Sequence, residues 1–152
     1  MEKPITIRPY EATDYEALSQ VHDAARKIEL HLAGLDEAFL PFTVAAERED
    51  FFEYPHIDVA LWGSSLLGFC AYTEEELAWL YVAPEHHRQG IGKGLVENAL
   101  KTAPGIADIE VLVGNEPAKR LYEAFGFLQK EIAEGAMPGN EAFAVKVYCM
   151  RR

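Results

Sequence analysis

The stretch Leu80-Tyr81-Val82-Ala83-Pro84-Glu85-His86-His87-Arg88-Gln89-Gly90-Ile91-Gly92-Lys93-Gly94-Leu95 runs from a β-rich segment into a glycine loop. The loop opens a segment that places Ile91, Leu95, Ala99 and Ala103 on one helical face. Strand, short loop and glycine-rich helix start form an arrangement suited to a phosphate or diphosphate. The first N–H groups of a helix are unpaired and sit at the positive end of its dipole, and glycine leaves no Cβ between backbone and anion. The spacing here is Gly-x-Gly-x-Gly, which misses the dinucleotide pattern Gly-x-Gly-x-x-Gly by one residue. It also fails the P-loop pattern, because neither Ser nor Thr follows Lys93 and the fifth residue before Gly92 is His87. Taken alone, the loop is a weak signal, because a helix start that simply needed glycine is the rival reading.

A second stretch, Asn115-x-x-Ala118-x-x-Leu121-Tyr122-x-x-x-Gly126-Phe127, follows at a defined distance. Together the two stretches span 80–127 and resemble the hallmark motifs of the GNAT superfamily of acyl-CoA-dependent N-acetyltransferases. The resemblance implies an α/β (α+β) GNAT fold, a mixed central sheet of about seven strands flanked by about four helices. It implies acetyl-CoA as co-substrate, no metal, and acetyl transfer to a primary amine by direct attack in a ternary complex. Residue by residue, it implies that the amides from Arg88 through Gln89, Gly90, Ile91 and Gly92 to Lys93 hold the diphosphate, flanked by His87 and Gly94. The pantetheine arm pairs like an added strand with Leu80, Tyr81 and Val82, and Asn115, Ala118, Lys119 and Tyr122 hold it from the opposite side. His87 stands where the family usually carries Arg or Gln, which tunes the loop without removing its amides. His86 and His87, adjacent and without further ligands nearby, read as loop surface and not as a metal site.

The reaction makes two further demands. The leaving thiolate needs a proton, and Tyr122 occupies the position where the family places its general acid. A phenol with a reference pKa near about 10 is protonated at neutral pH and can donate. Tyr122 also lies on the apolar face of its helix, where a core tyrosine would sit. The amine must be neutral to attack, yet a lysine-like amine is neutral in only roughly one molecule in 2,500 at pH 7. Glu76 begins the strand leading to Val82, a position where several GNAT enzymes carry a glutamate base. A solvated Glu74-Glu75-Glu76 turn accounts for it equally well. A non-catalytic acyl-CoA-binding regulator on the same fold is the alternative function.

The elements that must position these residues read as β α α β β β α β α β β. A short edge strand at Ile5–Arg8 ends at Pro9. Thr13 and Glu16 have capping-box spacing ahead of a helix with Leu18, Val21, Ala25, Ile28 and Leu32 on one face, stopped by Gly34. A weaker helix is expected over about 39–52, interrupted near Pro41. A three-strand meander follows over 57–62, 66–73 and 77–82. The glycine loop opens the next helix, 108–113 is a strand, and Asn115 and Pro117 start another helix that Gly126 ends. Strands over 127–132 and 142–150 close the chain, joined by a loop from Gly135 to Asn140.

With 152 residues, the length fits one N-acetyltransferase domain over 1–152. Fourteen basic and 25 acidic side chains give a net charge of −11, which argues against nucleic acid as a partner. Residues 1–84 carry 16 acids and 5 bases, so the whole excess lies there, while 85–120 and 121–152 are each neutral. A solvated acidic surface explains this, and so does a cation-handling half beside an anion-tolerant one. No apolar run reaches the ~20 residues of a membrane helix, so neither a membrane partner nor a signal segment is expected, and a cytoplasmic location is. Cys70 and Cys149 read as buried strand thiols. A small-molecule or peptide amine is expected near 22–52 and 134–141, where Glu29, Asp36, Glu37, Phe39, Phe42 and Tyr54 suggest an aromatic and acidic pocket. The sequence leaves monomer or homodimer undetermined.

Overall fold

The computed structural model describes residues 4–152. The chain order is β1 (Thr6–Pro9), α1 (Tyr15–Leu32), α2 (Phe42–Arg48), β2 (His56–Trp62), β3 (Ser65–Tyr72), β4 (Leu77–Val82), α3 (Ile91–Thr102), β5 (Asp108–Leu112), α4 (Glu116–Glu123), β6 (Leu128–Met137) and β7 (Asn140–Arg151). The element order follows the sequence pattern, and β4 begins and ends where its alternation predicts.

Among the described residues seven strands divide into two antiparallel sheets, β1-β2-β3-β4 and β5-β7-β6. Among the described residues a single parallel bridge, Glu76 to Asp108, joins them. The N–H groups of Ala107 and Asp108 both donate to Glu75 O beside it, at 2.9 and 3.2 Å. Beyond that point β4 ladders only with β3, so its other edge is left for something else to pair with. The mixed character of the sheet thus rests on one bridge, and a split opens at its centre.

The helices fix the walls of that split. Leu18, Val21, Ala25 and Leu30 bury one face of α1, and Gly34 ends the helix region at φ +71°. On the other face of the sheet, α3 buries Ile91, Leu95, Val96 and Ala99. It sits close because β3 carries Gly68: a Cβ there would lie 3.1 Å from Ile91 Cγ2 and 3.2 Å from Leu95 Cδ1. Gly114 plays the same part between β5 and α4. It holds φ +111°, and a Cβ would collide with the Leu32 carbonyl at the end of α1.

Three details differ from expectation. The capping box lies two residues earlier than Thr13 and Glu16, on the single 3-10 turn Ala12–Asp14 that leads into α1: Asp14 accepts from the Glu11 N–H at 2.9 Å. Arg8 grips both Asp14 oxygens at 2.8 and 2.9 Å, so a paired, buried carboxylate takes the capping role. The second helix shrinks to Phe42–Arg48 between two single 3-10 turns, Asp36–Ala38 and Phe51–Glu53, because Pro41 forces the chain to start afresh. The loop expected over 135–140 is almost entirely strand, with only Pro138 and Gly139 at the turn. Pairing with β7 overrides the low strand preference of Gly135 and Ala136, and Met137 and Val145 pack on Leu30 and Ala38.

Candidate active site

Two clefts open on either side of β4. The larger, about 610 Å³, is bounded by α1, the free edge of β4, the glycine loop with the start of α3, and α4. Leu80, Tyr81, Val82, His87, Arg88, Gly90, Ile91, Gly92, Lys93, Asn115, Ala118 and Tyr122 all line it. Gln89, Gly94 and Lys119 do not. Gln89 faces His86 at 3.1 Å, a Cβ on Gly94 would point at Ile7 in β1, and Lys119 lies over the Tyr148 ring at 4.4 Å. Sequence reasoning missed Arg120 and the α1 side of this cleft, Ala25, Ile28, Glu29 and Leu32. Ile28 and Leu32 form an apolar lip there, 43% and 45% exposed.

The local chain course suits an anion at the loop. Arg88 and Gly90 both take left-handed backbone, at φ +64° and +84°, turning the chain into α3. An arginine in that conformation costs about 1–3 kcal/mol and must be held by its surroundings. His87 supplies one tie, its Nε2 donating to the Val82 carbonyl at 3.0 Å. Arg88, Lys93 and Arg120 give this cleft cationic side chains. Asn115 caps α4, its side chain accepting from the Ala118 N–H at 3.4 Å.

Tyr122 is buried, packs edge-on to Phe127 at 6.3 Å and lines the same cleft. Burial, and then the Glu29 carboxylate, push its phenol well above the usual range, so it stays protonated at neutral pH.

The second cleft, about 420 Å³, lies between α1, α2, the other end of β4, β5 and the β6–β7 hairpin. Glu29, Glu49, Glu76, Glu110 and Glu134 line it, against one half-buried cation, Arg26, and Glu134 pairs outward with Lys146 at 3.3 Å. The hairpin tip is fastened over α2: Arg48 donates to the Gly139 carbonyl at 3.0 Å, and Asn140 Nδ2 to the Ala38 carbonyl at 3.0 Å. Burial, then the neighbouring Glu110 and Asp108, raise the Glu76 carboxyl. Burial pushes Glu49 up to about 7, with Glu141 and Glu29 adding to it against Arg26. His22, at the floor, is kept neutral by burial; its Nδ1 meets Asp23 at 2.9 Å and its ring packs against Phe42, Trp79 and Tyr81.

Of the residues expected in an acceptor pocket, Glu29 and Tyr54 line this cleft. Phe42 is instead wholly buried in the aromatic core, and Phe39 lies under Lys27 at 4.9 Å. Asp36 pairs with His31 at 2.9 Å on the surface, and Glu37 is exposed beside it; neither enters the cleft. Nothing local in the sequence marks Glu49, Glu110 or Glu134 as bordering the cleft, and Glu110 and Glu134 do so from exposed strand positions. Arg26 and Glu29 did carry a signal, the i, i+3 spacing of an ion pair.

The clefts meet at Glu29 and Tyr81, which line both. The Tyr81 hydroxyl donates to Glu29 Oε1 at 2.9 Å, and Arg26 donates to the same oxygen at 2.5 Å. Asn115 Nδ2 reaches the other oxygen at 3.4 Å. A cationic-lipped cleft with a glycine loop thus joins an anionic cleft through one carboxylate. Residues 47–129, more than half of the chain, match the family model described as an acetyltransferase (GNAT) domain. The chain belongs to this GNAT family.

Other likenesses agree. A stretch of 61 residues is 41% identical to the peptidyl-lysine N-acetyltransferase YjaB of Salmonella typhimurium. That stretch is 40% of this chain and spans only 41% of that relative. In fold, the chain matches a GCN5-related N-acetyltransferase from Rhodopseudomonas palustris with a TM-score of 0.77 at 18% identity, covering 100% of this chain and 98% of that one. It also matches YncA from Salmonella typhimurium, solved with its cofactor acetyl-CoA, with a TM-score of 0.66 at 16% identity, over 97% of this chain and 92% of that one. The GNAT fold, α/β with seven strands and four α-helices, is therefore the fold of this chain.

Proposed function

We propose that the protein transfers an acetyl group from acetyl-CoA to the primary amine of a cationic acceptor, by direct attack in a ternary complex. The observation that carries this reading is the meeting of the two clefts at Glu29 and Tyr81. One cleft has the glycine loop, a free strand edge and cations. The other has carboxylates.

The residues divide the work as follows. The amides of Arg88 to Lys93 receive the diphosphate, and Arg88, Lys93 and Arg120 balance its charge. The free edge of β4 offers backbone groups to the pantetheine arm, and its N–H groups polarise the acyl oxygen as charge develops there. Glu76 takes a proton from the ammonium, directly or through water. The neutral nitrogen then bonds to the acyl carbon and the carbon–sulfur bond breaks. Tyr122 protonates the departing thiolate and recovers a proton from the newly acylated nitrogen. The named activity of YjaB, acetylation of peptidyl lysine, supports an amine acceptor.

The test is release of CoA thiol across a panel of amines, basic peptides and aminosugars. Thiol release that depends on a cationic amine is expected. Tight acetyl-CoA binding without thiol release for any acceptor would overturn the reading in favour of a non-catalytic acyl-CoA-binding protein.

A further inference from the structure

The acceptor cleft contains a carboxylate that the transfer chemistry leaves unused. Glu49 follows directly on α2 and lines the cleft, facing Arg26 and Glu29 of α1 and Glu141 of β7. The hairpin tip lies on top of it. A Cβ on Gly139 would come 2.9 Å from Glu49 Cγ and 3.4 Å from Oε2, so the glycine backbone packs closely on that side. Arg26 directs its short contact to Glu29 at 2.5 Å and a second nitrogen to Met137 Sδ at 3.6 Å. Among the described residues no side chain donates a hydrogen bond to Glu49. Tyr54 stands near both Glu49 and Glu76, close enough that each carboxylate raises its phenol.

A half-buried carboxylate without a side-chain donor, in a cleft whose charged side chains are mainly other carboxylates, is neutralised either by a proton or by a ligand cation. We propose that Glu49 anchors a second ammonium of a dicationic acceptor, and that the acceptor displaces a proton from it. This inference rests on the acceptor-cleft reading above. The reacting amine lies towards Glu76 and the anchored ammonium towards Glu49, with Tyr54 between them.

The charges around Glu49 set the sign. Arg26 favours its anion; Glu29 and Glu141 favour its neutral form, and Tyr54 and Tyr81 are protonated phenols facing the same space. With its carboxyl up at about 7, Glu49 holds a proton in about half of molecules at neutral pH. A docked ammonium stabilises the anion, so that proton passes to solvent. No covalent bond other than O–H breaks.

Calorimetry with 1,4-diaminobutane, run at neutral pH in buffers of different ionisation enthalpy, reads the displaced proton directly. Wild type is expected to release about half a proton per diamine bound, and more at slightly lower pH. Glu49→Gln is expected to release none and to bind the diamine about tenfold more weakly, with 1-aminobutane binding equal in the two proteins. Glu76→Gln is expected to keep the proton release. Thermal melts confirm that each variant is folded. Proton release that persists in Glu49→Gln, diamine binding by wild type without proton release, or no diamine binding at millimolar concentration would each overturn the proposal. Thiol release from acetyl-CoA is followed separately. Proton-linked binding without thiol release would leave the anchor standing and remove the acetyltransferase reading instead.

Discussion

Tyr122 shows how a residue can be named from sequence while its surroundings cannot. The motif singles out the phenol, but only the structure shows it enclosed, near Glu29 and facing the cleft beside the glycine loop. Tyr122→Phe keeps the ring against Phe127 and removes the donor. If the phenol protonates the thiolate, kcat falls by about 10²–10⁴ while acetyl-CoA affinity barely changes. Single-turnover rates check this, and an unchanged rate of chemistry would return Tyr122 to the core. Glu49 is the opposite case, silent in the sequence and exposed only by tertiary packing. Its raised pKa also predicts a stability trend. Below the ordinary glutamate range both folded and unfolded states are protonated. Above it the unfolded state ionises first, so Glu49 weakens the fold as pH rises from about 4.5 to about 7 and adds no further loss beyond that. Melting temperatures of wild type and Glu49→Gln are therefore expected to converge near pH 4 and separate above it, with the variant the more stable. A constant difference at every pH would show that Glu49 is not desolvated in the native state.

At the scale of elements, periodicity carried most of the information. The meander and the two helices beside the site follow from alternation, glycine stops and a capping asparagine. What periodicity lacked was the break between β4 and β5. A parallel neighbour and a splayed one have the same alternating pattern, and only the lone bridge at Glu76 and Asp108 distinguishes them. The hairpin strands run longer than their sequence suggests because Gly135 and Ala136 favour strand only when β7 supplies the partner. Glycines decide how near the walls approach. Gly68→Ala would drive a methyl against Ile91 and Leu95, destabilising the fold by about 1–3 kcal/mol. Because Ile91 is the first residue of α3, the same change is expected to raise the KM for acetyl-CoA more than that for the acceptor. Denaturant melts and two-substrate kinetics measure both effects. Gly92 differs: a Cβ there would sit at ordinary contact distance, 3.4 Å from Leu121 and 3.6 Å from Val82. Gly92→Ala is thus expected to fold normally, whereas Gly92→Asp adds a carboxylate to the wall of the cleft proposed for acetyl-CoA and should abolish its binding.

For the whole molecule, the net charge of −11 raised the idea of an anion-tolerant half beside a cation-handling half. The structure gives this a sharper form, because the division runs between two clefts and not between two parts of the chain. Glu110 and Glu134, from the neutral later segments, join Glu29, Glu49 and Glu76 around one cavity. Asp36 and Glu37, from the acidic early segment, stay on the surface outside it. If the field of that cavity draws in the acceptor, position relative to the cleft matters and membership of the acidic half does not. The paired change Glu110→Gln with Glu134→Gln is expected to raise the acceptor KM several-fold and leave the acetyl-CoA KM alone. The paired change Asp36→Asn with Glu37→Gln removes the same formal charge and is expected to alter neither. Salt separates this field from close contacts, since charges in solvent are screened over about 10 Å at 0.1 M ionic strength. Added salt should therefore raise the wild-type acceptor KM steeply, and raise it less in the Glu110 and Glu134 variant. Equal responses of the two paired variants would mean that the acidic surface acts as a diffuse charge, and the cleft would lose its claim to select a cationic acceptor.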